Sequence, residues 1–394
     1  LKNKLNLHIA LFILIRIAIS TMSRMVYPFL PALARGMGVS QFDITWAINL
    51  RSLTGLAGPF VATIGDTRGR RFGMLFSLGM IVVSLGLMAV WPSYLMFIVT
   101  LITGSLGYLS LNPSMQAYLG DHVPYERRGR ALGLVELGWS LSFIIGVPVT
   151  GLVISTYGWQ YAFLFLGILC LFGFLALLIV IPDDHPGKTA SLSFLHNMRQ
   201  VFTSRPALAG LGLAITCTAA NEIINMVLGV WMEDSFGLKI AQIGAASAIL
   251  GVSELGGEAI VAGISDRTGK SILLGAGLAL NCAAVLLLPL LSGSLAGALV
   301  GLSLFYITFE ITIVSSIPMM TEILPSARAT LLAAYISCLA IGRAIGGALA
   351  PGLYALSRKP GPLSGMVGVA LAVILFNLLA LAALAYLRRQ HHGI

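Results

Sequence analysis

VATIGDTRGR at 61–70 returns as VAGISDRTGK at 261–270, with Val, Ala, Ile, Asp and Gly in register at an offset of 200 and a basic residue closing both copies. A short stretch written twice, half a chain apart, points to a duplicated architecture. Its surroundings say of what kind. Apolar residues make up 57% of the 394 positions and charged residues 10%, and the mean hydropathy is +0.93. A soluble domain carries about 25% charged residues, so this chain cannot cover a soluble surface. Long uncharged runs recur instead, and about 20 apolar residues at 1.5 Å each cross a hydrocarbon core of roughly 30 Å. The runs are continuous rather than alternating with period two, which excludes a β-barrel.

Twelve spans are predicted, near 7–34, 42–65, 73–91, 94–119, 131–157, 160–182, 206–235, 239–264, 271–291, 294–322, 328–357 and 363–388. Six precede and six follow one long polar connection. The expected fold is therefore an all-α membrane protein of twelve transmembrane helices in two pseudo-symmetric six-helix bundles, 1–182 and 206–390, joined by a cytoplasmic linker at 183–205. Each decapeptide then follows the second helix of its half. With both termini cytoplasmic, sixteen Lys and Arg lie inside and only Arg35, Lys239, Arg358 and Lys359 outside, a positive-inside bias. That bias accounts for the net charge of +9, so no nucleic-acid partner is expected. The chain opens on Leu1, and its first run is too long for a signal-peptide core and lacks an A-x-A-like site, so it is read as a true span.

Catalytic and cofactor signatures are absent from the sequence. Cys170, Cys217, Cys282 and Cys338 fall inside predicted helices without C-x-x-C spacing and read as packing residues. The six histidines lie at helix ends, in loops or in the tail. There is no phosphate-binding Gly-Lys loop, no HExxH and no GxSxG with a triad, so an enzyme is not expected and no cofactor is required. Glu254 and Glu258 share a helix face, but no third ligand stands at helical spacing, so no metal site is predicted.

Charges inside the spans carry the functional signal, because each costs about 2.5–3.5 kcal/mol at a helix centre unless it meets a partner or a wet cavity. The first half holds Arg16, Arg24, Arg51 and Glu136; the second holds Glu222, Glu254, Glu258, Glu310 and Arg343. Glu136 and Arg343 read as interhelix pairs. In the repeated turns, Asp66, Gly69 and Arg70 align with Asp266, Gly269 and Lys270, and Arg71 in the first copy and Arg267 in the second add one more base each. An acid and a base across a glycine turn can pair with each other or with neighbouring helix ends, and such pairs can form in one conformation and part in another, which makes them a candidate conformational latch.

The chain resembles the major facilitator superfamily of secondary transporters over nearly its whole length. The resemblance rests on twelve spans, a central loop and the D-x-x-G-[RK]-[RK] signature at Asp66–Arg71, with Thr67 where the family usually has Arg and Ala62 in place of its usual Gly. DHVPYERRGRA at 121–131 is similar to the family's pattern after span 4, and EILPSARAT at 322–330 resembles its half-repeat. GWSLSFIIGVPVTG at 138–151 looks like the span 5 motif of drug:proton antiporters, through Gly146, Pro148 and Gly151, with Val147 and Leu152 replacing glycines. Thr100 stands where those antiporters carry an intramembrane Arg.

The resemblance implies that spans 1, 4, 7 and 10 line a central cavity, placing Arg16, Arg24, Asn112, Asn221, Glu222, Asn225 and Glu310 near substrate. Arg24 and Glu222 would each lie about 25 Å along their helices and face each other across the halves. Glu222 or Glu310 is then either a carboxyl that exchanges a proton or one member of a structural pair. The function implied is proton-coupled efflux of small hydrophobic or drug-like compounds by alternating access, driven by the proton gradient and carried out by a monomer in the cell membrane. The alternative is a facilitator or importer of an anionic or lipid-like metabolite, with Arg24 and Arg51 meeting the negative group. A scaffold or sensor that moves nothing is disfavoured by so many intramembrane charges.

Overall fold

The computed structural model describes residues 2–61, 68–183, 194–358 and 366–390. Among them are helices, turns and no strand. Among the described residues, eleven helices are long and apolar enough to cross a membrane, from Leu5–Arg24 to Val367–Gln390. They coincide with the predicted spans except for the first, whose helix stops at Arg24 ahead of a separate helix Leu30–Met37 where one span over 7–34 was expected, and the second. Span 2 begins as Gln41–Leu53 behind a Ser40 capping box with Asp43, passes through a 3-10 turn at Thr54–Ala57, and resumes as Gly58–Val61. Gly55 and Gly58 weaken the helix, and Pro59 offers no N–H, so the segment breaks where continuous hydropathy predicts one rod. The Thr54 hydroxyl, bonded to Ser105 of span 4 at 2.7 Å, holds the break in place.

The chain divides into two compact units: Leu1–Thr189 with Leu238–Gly251, and Ala190–Gly237 with Val252–Ile394. Each follows the same neighbour scheme. In the first, span 1 packs on spans 5 and 6 while span 3 packs on spans 4 and 6; in the second, span 7 packs on spans 11 and 12 while span 9 packs on spans 10 and 12. Local backbone repeats as well. Gly38 and Gly237 cap the helices before spans 2 and 8 in the left-handed conformation, at φ 68° and 62°. Gly69 and Gly269 open spans 3 and 9 at φ 100° and 82°, a conformation that a side chain would strain.

Close helix approach, not hydrophobic contrast, has to hold such bundles together in lipid. On span 11, Arg328–Ser357, a methyl group on Gly342 would strike the Thr218 hydroxyl and one on Gly346 the Ala219 carbonyl, both on span 7. The Thr218 hydroxyl also donates to the Leu339 carbonyl at 3.1 Å. In the first unit, span 5 approaches span 1 through Gly138, against the Arg16 stem, and Gly146, against Thr21.

Candidate functional site

Span 5 runs from Tyr125 to Leu141, widens into a π-helical segment at Ser142–Gly146, and continues as Val147–Tyr157. The widening has a local cause. Pro148 lacks an N–H and its ring crowds the carbonyl one turn back, so the preceding residues take i→i−5 bonding, with the Val147 N–H donating to the Ser142 carbonyl. Gly151 faces Gly244 of span 8, whose Cα would lie 3.4 Å from a methyl placed on Gly151. Leu238–Gly251 belongs to this unit. Gly146, Pro148 and Gly151 thus shape one helix: the first meets span 1, the second widens the turn, and the third meets span 8.

Just below the widened turn, the Trp139 carbonyl accepts from Arg24 Nη1 at 3.0 Å, and the Arg24 guanidinium lies 3.5 Å from the centroid of the Phe143 ring and 4.4 Å from that of Trp139. Such contacts contribute up to about 2 kcal/mol when desolvated. Arg51 is held the same way, by the Ser23 carbonyl at 2.6 Å and the Tyr27 hydroxyl at 2.7 Å. Its partners lie where helix 1 ends at Arg24 and the chain turns through Pro28 into the helix Leu30–Met37, so Arg51 staples the break in span 1 to span 2. Both arginines are buried and touch carbonyls and rings.

Arg16 differs. Its Nη2 donates to Glu136 Oε2 at 2.7 Å, its guanidinium lies 4.8 Å from the centroid of the Tyr108 ring, and its Nε and Nη1 are buried without a hydrogen-bond partner. A buried donor left unmade costs about 1–3 kcal/mol. Glu136 Oε1 accepts from Gln116 at 3.0 Å. Tyr108, Asn112 and Gln116 recur at four-residue steps on span 4, Tyr94–His122, so they share a face. Asn112 Oδ1, between the other two, is also buried without a partner.

The second unit buries acids instead. Glu222, Glu254 and Glu310 are all buried, on spans 7, 8 and 10. Beside Glu222 runs a chain of amides in which the Tyr306 hydroxyl donates to Asn225 Oδ1 at 2.6 Å and Asn225 Nδ2 to Asn221 Oδ1 at 2.8 Å, leaving Asn221 Nδ2 buried and unpartnered. A separate knot joins spans 9, 10 and 12: Asn281 Nδ2 donates to the Phe305 carbonyl and Thr308, and Asn377 Nδ2 to Asn281 Oδ1 at 2.7 Å. Arg343, expected in an interhelix pair, is exposed. Among the described residues, no group of three His, Cys, Asp or Glu is placed to hold a metal.

At the repeated turns, Asp66 lies outside the described residues, as does the side chain of Asp266. The bases reach acids at neighbouring helix ends. Arg70 lies 3.6 Å from Asp121, and Lys270 lies 2.7 Å from Glu322. Arg71 pairs with Asp183 and donates to the Leu178 carbonyl at the end of span 6, while Arg267 is exposed. Asp121 and Glu322 open the two quoted motifs after spans 4 and 10, so the same base-to-acid link recurs in both units. Their matching positions were the signal available for this link. The same holds for Tyr108 and Gln116, whose spacing around Asn112 marks one polar face.

Solved structures with this fold include a bacterial homologue of the human lysosomal transporter Spinster in its inward-facing, occupied conformation, at TM-score 0.76 and 14% identity over 98% of this chain and 97% of that one. A POT family transporter in complex with a thioalcohol-conjugated peptide aligns at TM-score 0.77 and 13% identity, over 97% and 94% of the two chains. By sequence, the uncharacterised MFS-type transporter YceJ of Bacillus subtilis (strain 168) is 25% identical across 91% of this chain and 92% of its own. The multidrug resistance protein MdtG of Serratia proteamaculans (strain 568) is 30% identical over about half of each, 52% and 50%. The sequence profile of the Major Facilitator Superfamily matches residues 12–347, and with a helical, multi-pass fold of the same kind the chain belongs to that superfamily of membrane transporters, not to an enzyme family.

Proposed function

We propose that the protein is a proton-coupled exporter of small, mostly hydrophobic organic compounds, working by alternating access as a monomer in the cell membrane with both termini cytoplasmic. The observation that carries this reading is Glu222, a carboxyl 1% exposed in the middle of span 7, beside an amide chain that ends on a free donor. A carboxyl held inside a span is a group that can exchange a proton when its surroundings change, which is what coupling to a proton gradient requires. Glu310 has the same character on span 10. The partial similarity to MdtG, a multidrug resistance protein, supports efflux as the direction. In this reading Asn221, Glu222, Asn225 and Glu310 handle the proton and the polar parts of the substrate in the second unit, while Arg16, Arg24, Arg51 and Asn112 do so in the first. The turn residues Asp66, Gly69, Arg70, Arg71, Asp266, Arg267, Gly269 and Lys270 serve as the latch. The cycle draws on the proton gradient and needs no cofactor.

Flux of fluorescent lipophilic compounds into or out of proteoliposomes under an imposed pH gradient tests the proposal. Gradient-driven movement by the wild type that disappears in Glu222→Gln is the expected result; movement that ignores the gradient, or is unchanged in the variant, overturns it. The buried bases of the first unit favour a second reading, transport of a compound with a negative group.

A further inference from the structure

We infer that Arg16 receives an anionic group on the transported compound, and that Glu136 is the internal carboxylate this group replaces. The inference deepens the transport reading above and rests on it. Its basis is an asymmetry within one ion pair. The Arg16 side chain is 4% exposed and that of Glu136 44%. The stem of Arg16 is also fixed: Gly138 of span 5 lies so close that an added methyl would stand 2.7 Å from Arg16 Cβ, and the Tyr108 ring covers the guanidinium. Arg16 is therefore the stationary member and Glu136 the replaceable one.

That asymmetry decides the sign of the ligand. A cation drawn to Glu136 would displace Arg16 and strand a buried guanidinium, which is strongly unfavourable. An anion drawn to Arg16 displaces a carboxylate whose side chain is far less buried than that of Arg16 and whose other partner, Gln116, is exposed. Arg16 has unused capacity for such a guest, because Nε and Nη1 have no hydrogen-bond partner. A carboxylate, phosphate or sulfonate accepts two parallel N–H bonds from a guanidinium, where Glu136 now takes one. Asn112 Oδ1, unpartnered on the same face of span 4 as Tyr108 and Gln116, would accept from a hydroxyl or amide N–H on the guest. The substrate class is thus a hydrophobic compound with a negative head. Export of an anion against an incoming proton is favoured by the membrane potential as well as by the pH gradient, so this chemistry is compatible with exchange through the acids of the second unit.

The test is equilibrium binding to the purified full-length chain in detergent, with no gradient, using probes that share an apolar body: 1-naphthylacetate against 1-naphthylmethylammonium, and decyl phosphate against decyltrimethylammonium. The anions are expected to bind saturably and not to be displaced by the matched cations. Arg16→Gln should weaken anion binding at least about tenfold. Glu136→Gln, which removes the competitor, should tighten it several-fold. If Arg16→Gln does not purify, Arg16→Lys carries the same test, since it keeps the charge and loses the fork. Anion binding equal in wild type and Arg16 variants, weaker binding in Glu136→Gln, displacement by the cations, or no anion binding to the wild type would each overturn the inference. A protein that binds the anions but shows no gradient-driven flux overturns the efflux reading alone; one that pumps a lipophilic cation and binds no anion overturns only this one.

Discussion

The two halves build the same scaffold and bury opposite charges in it. In the first, Arg16, Arg24 and Arg51 are buried, two of them against carbonyls and aromatic faces and the third beside a half-exposed carboxylate. In the second, Glu222, Glu254 and Glu310 are buried, and Glu222 adjoins in sequence a chain of amides that ends on a tyrosine. What the halves share is what holds helices together: the neighbour scheme, the glycine turns, the close glycine contacts and the base-to-acid link at the repeated turns. What differs is what a transported compound or a proton would feel. The halves thus repeat one scaffold and differ in the sign of a few buried intramembrane charges.

The largest effects should come from breaking what is shared. Gly346→Leu places a side chain into the Ala219 carbonyl, and Gly146→Leu places one against Thr21; overpacking of this kind costs about 1–3 kcal/mol and often more against backbone. Both variants should lose most monodisperse protein on size exclusion, and normal yield of either would show that its half tolerates a wider helix spacing. Next comes a contact found in one half only. Asn281→Ala removes a donor from Phe305 and Thr308 and leaves Asn377 unanswered, at a cost of about 1–3 kcal/mol. The thermal midpoint in detergent should fall clearly, whereas an unchanged midpoint would mean that the knot is not part of what holds spans 9, 10 and 12.

Functional variants sharpen the contrast further. Arg51→Gln breaks the staple on the turn after helix 1 while leaving the second half untouched, so transport should slow several-fold, on the scale of a lost charge-assisted hydrogen bond, with pH-gradient dependence retained. Loss of gradient dependence in this variant would place proton coupling in the wrong half. The smallest effect on stability is expected at the repeated links. Lys270→Ala and Arg70→Ala each remove a partly exposed pair worth about 0–1 kcal/mol. Neither should move the thermal midpoint measurably, but both should alter the transport rate if the links open and close during the cycle. Equal rates in wild type and both variants would reduce them to surface charges.

Much of this fold is legible in the sequence because lipid leaves so few options. Continuous apolar runs must be helices, and the duplicated decapeptide reveals that there are two sets of them. The breaks are harder to read. Hydropathy runs straight through span 2, yet Gly55, Gly58 and Pro59 interrupt it, and the π segment of span 5 depends on how Pro148 is accommodated rather than on any periodicity. The buried charges are also legible, since each stands out against an apolar run. Their partners are not, because Arg24 meets a carbonyl and two rings, and pairing of Arg70 with Asp121 or Lys270 with Glu322 needs helices that only tertiary packing brings together. Arg16 and Glu136 illustrate the limit: both are visible as charges, but only burial shows which one is fixed.

The division of labour between the halves is tested most directly by comparing Glu222→Gln and Arg16→Gln in one proteoliposome experiment, measuring flux of 1-naphthylacetate with and without an imposed pH gradient. Glu222→Gln is expected to carry the anion still but without response to the gradient, and Arg16→Gln to lose the anion at every gradient. Gradient response surviving in Glu222→Gln, or anion flux surviving in Arg16→Gln, would show that the halves do not divide the work in this way.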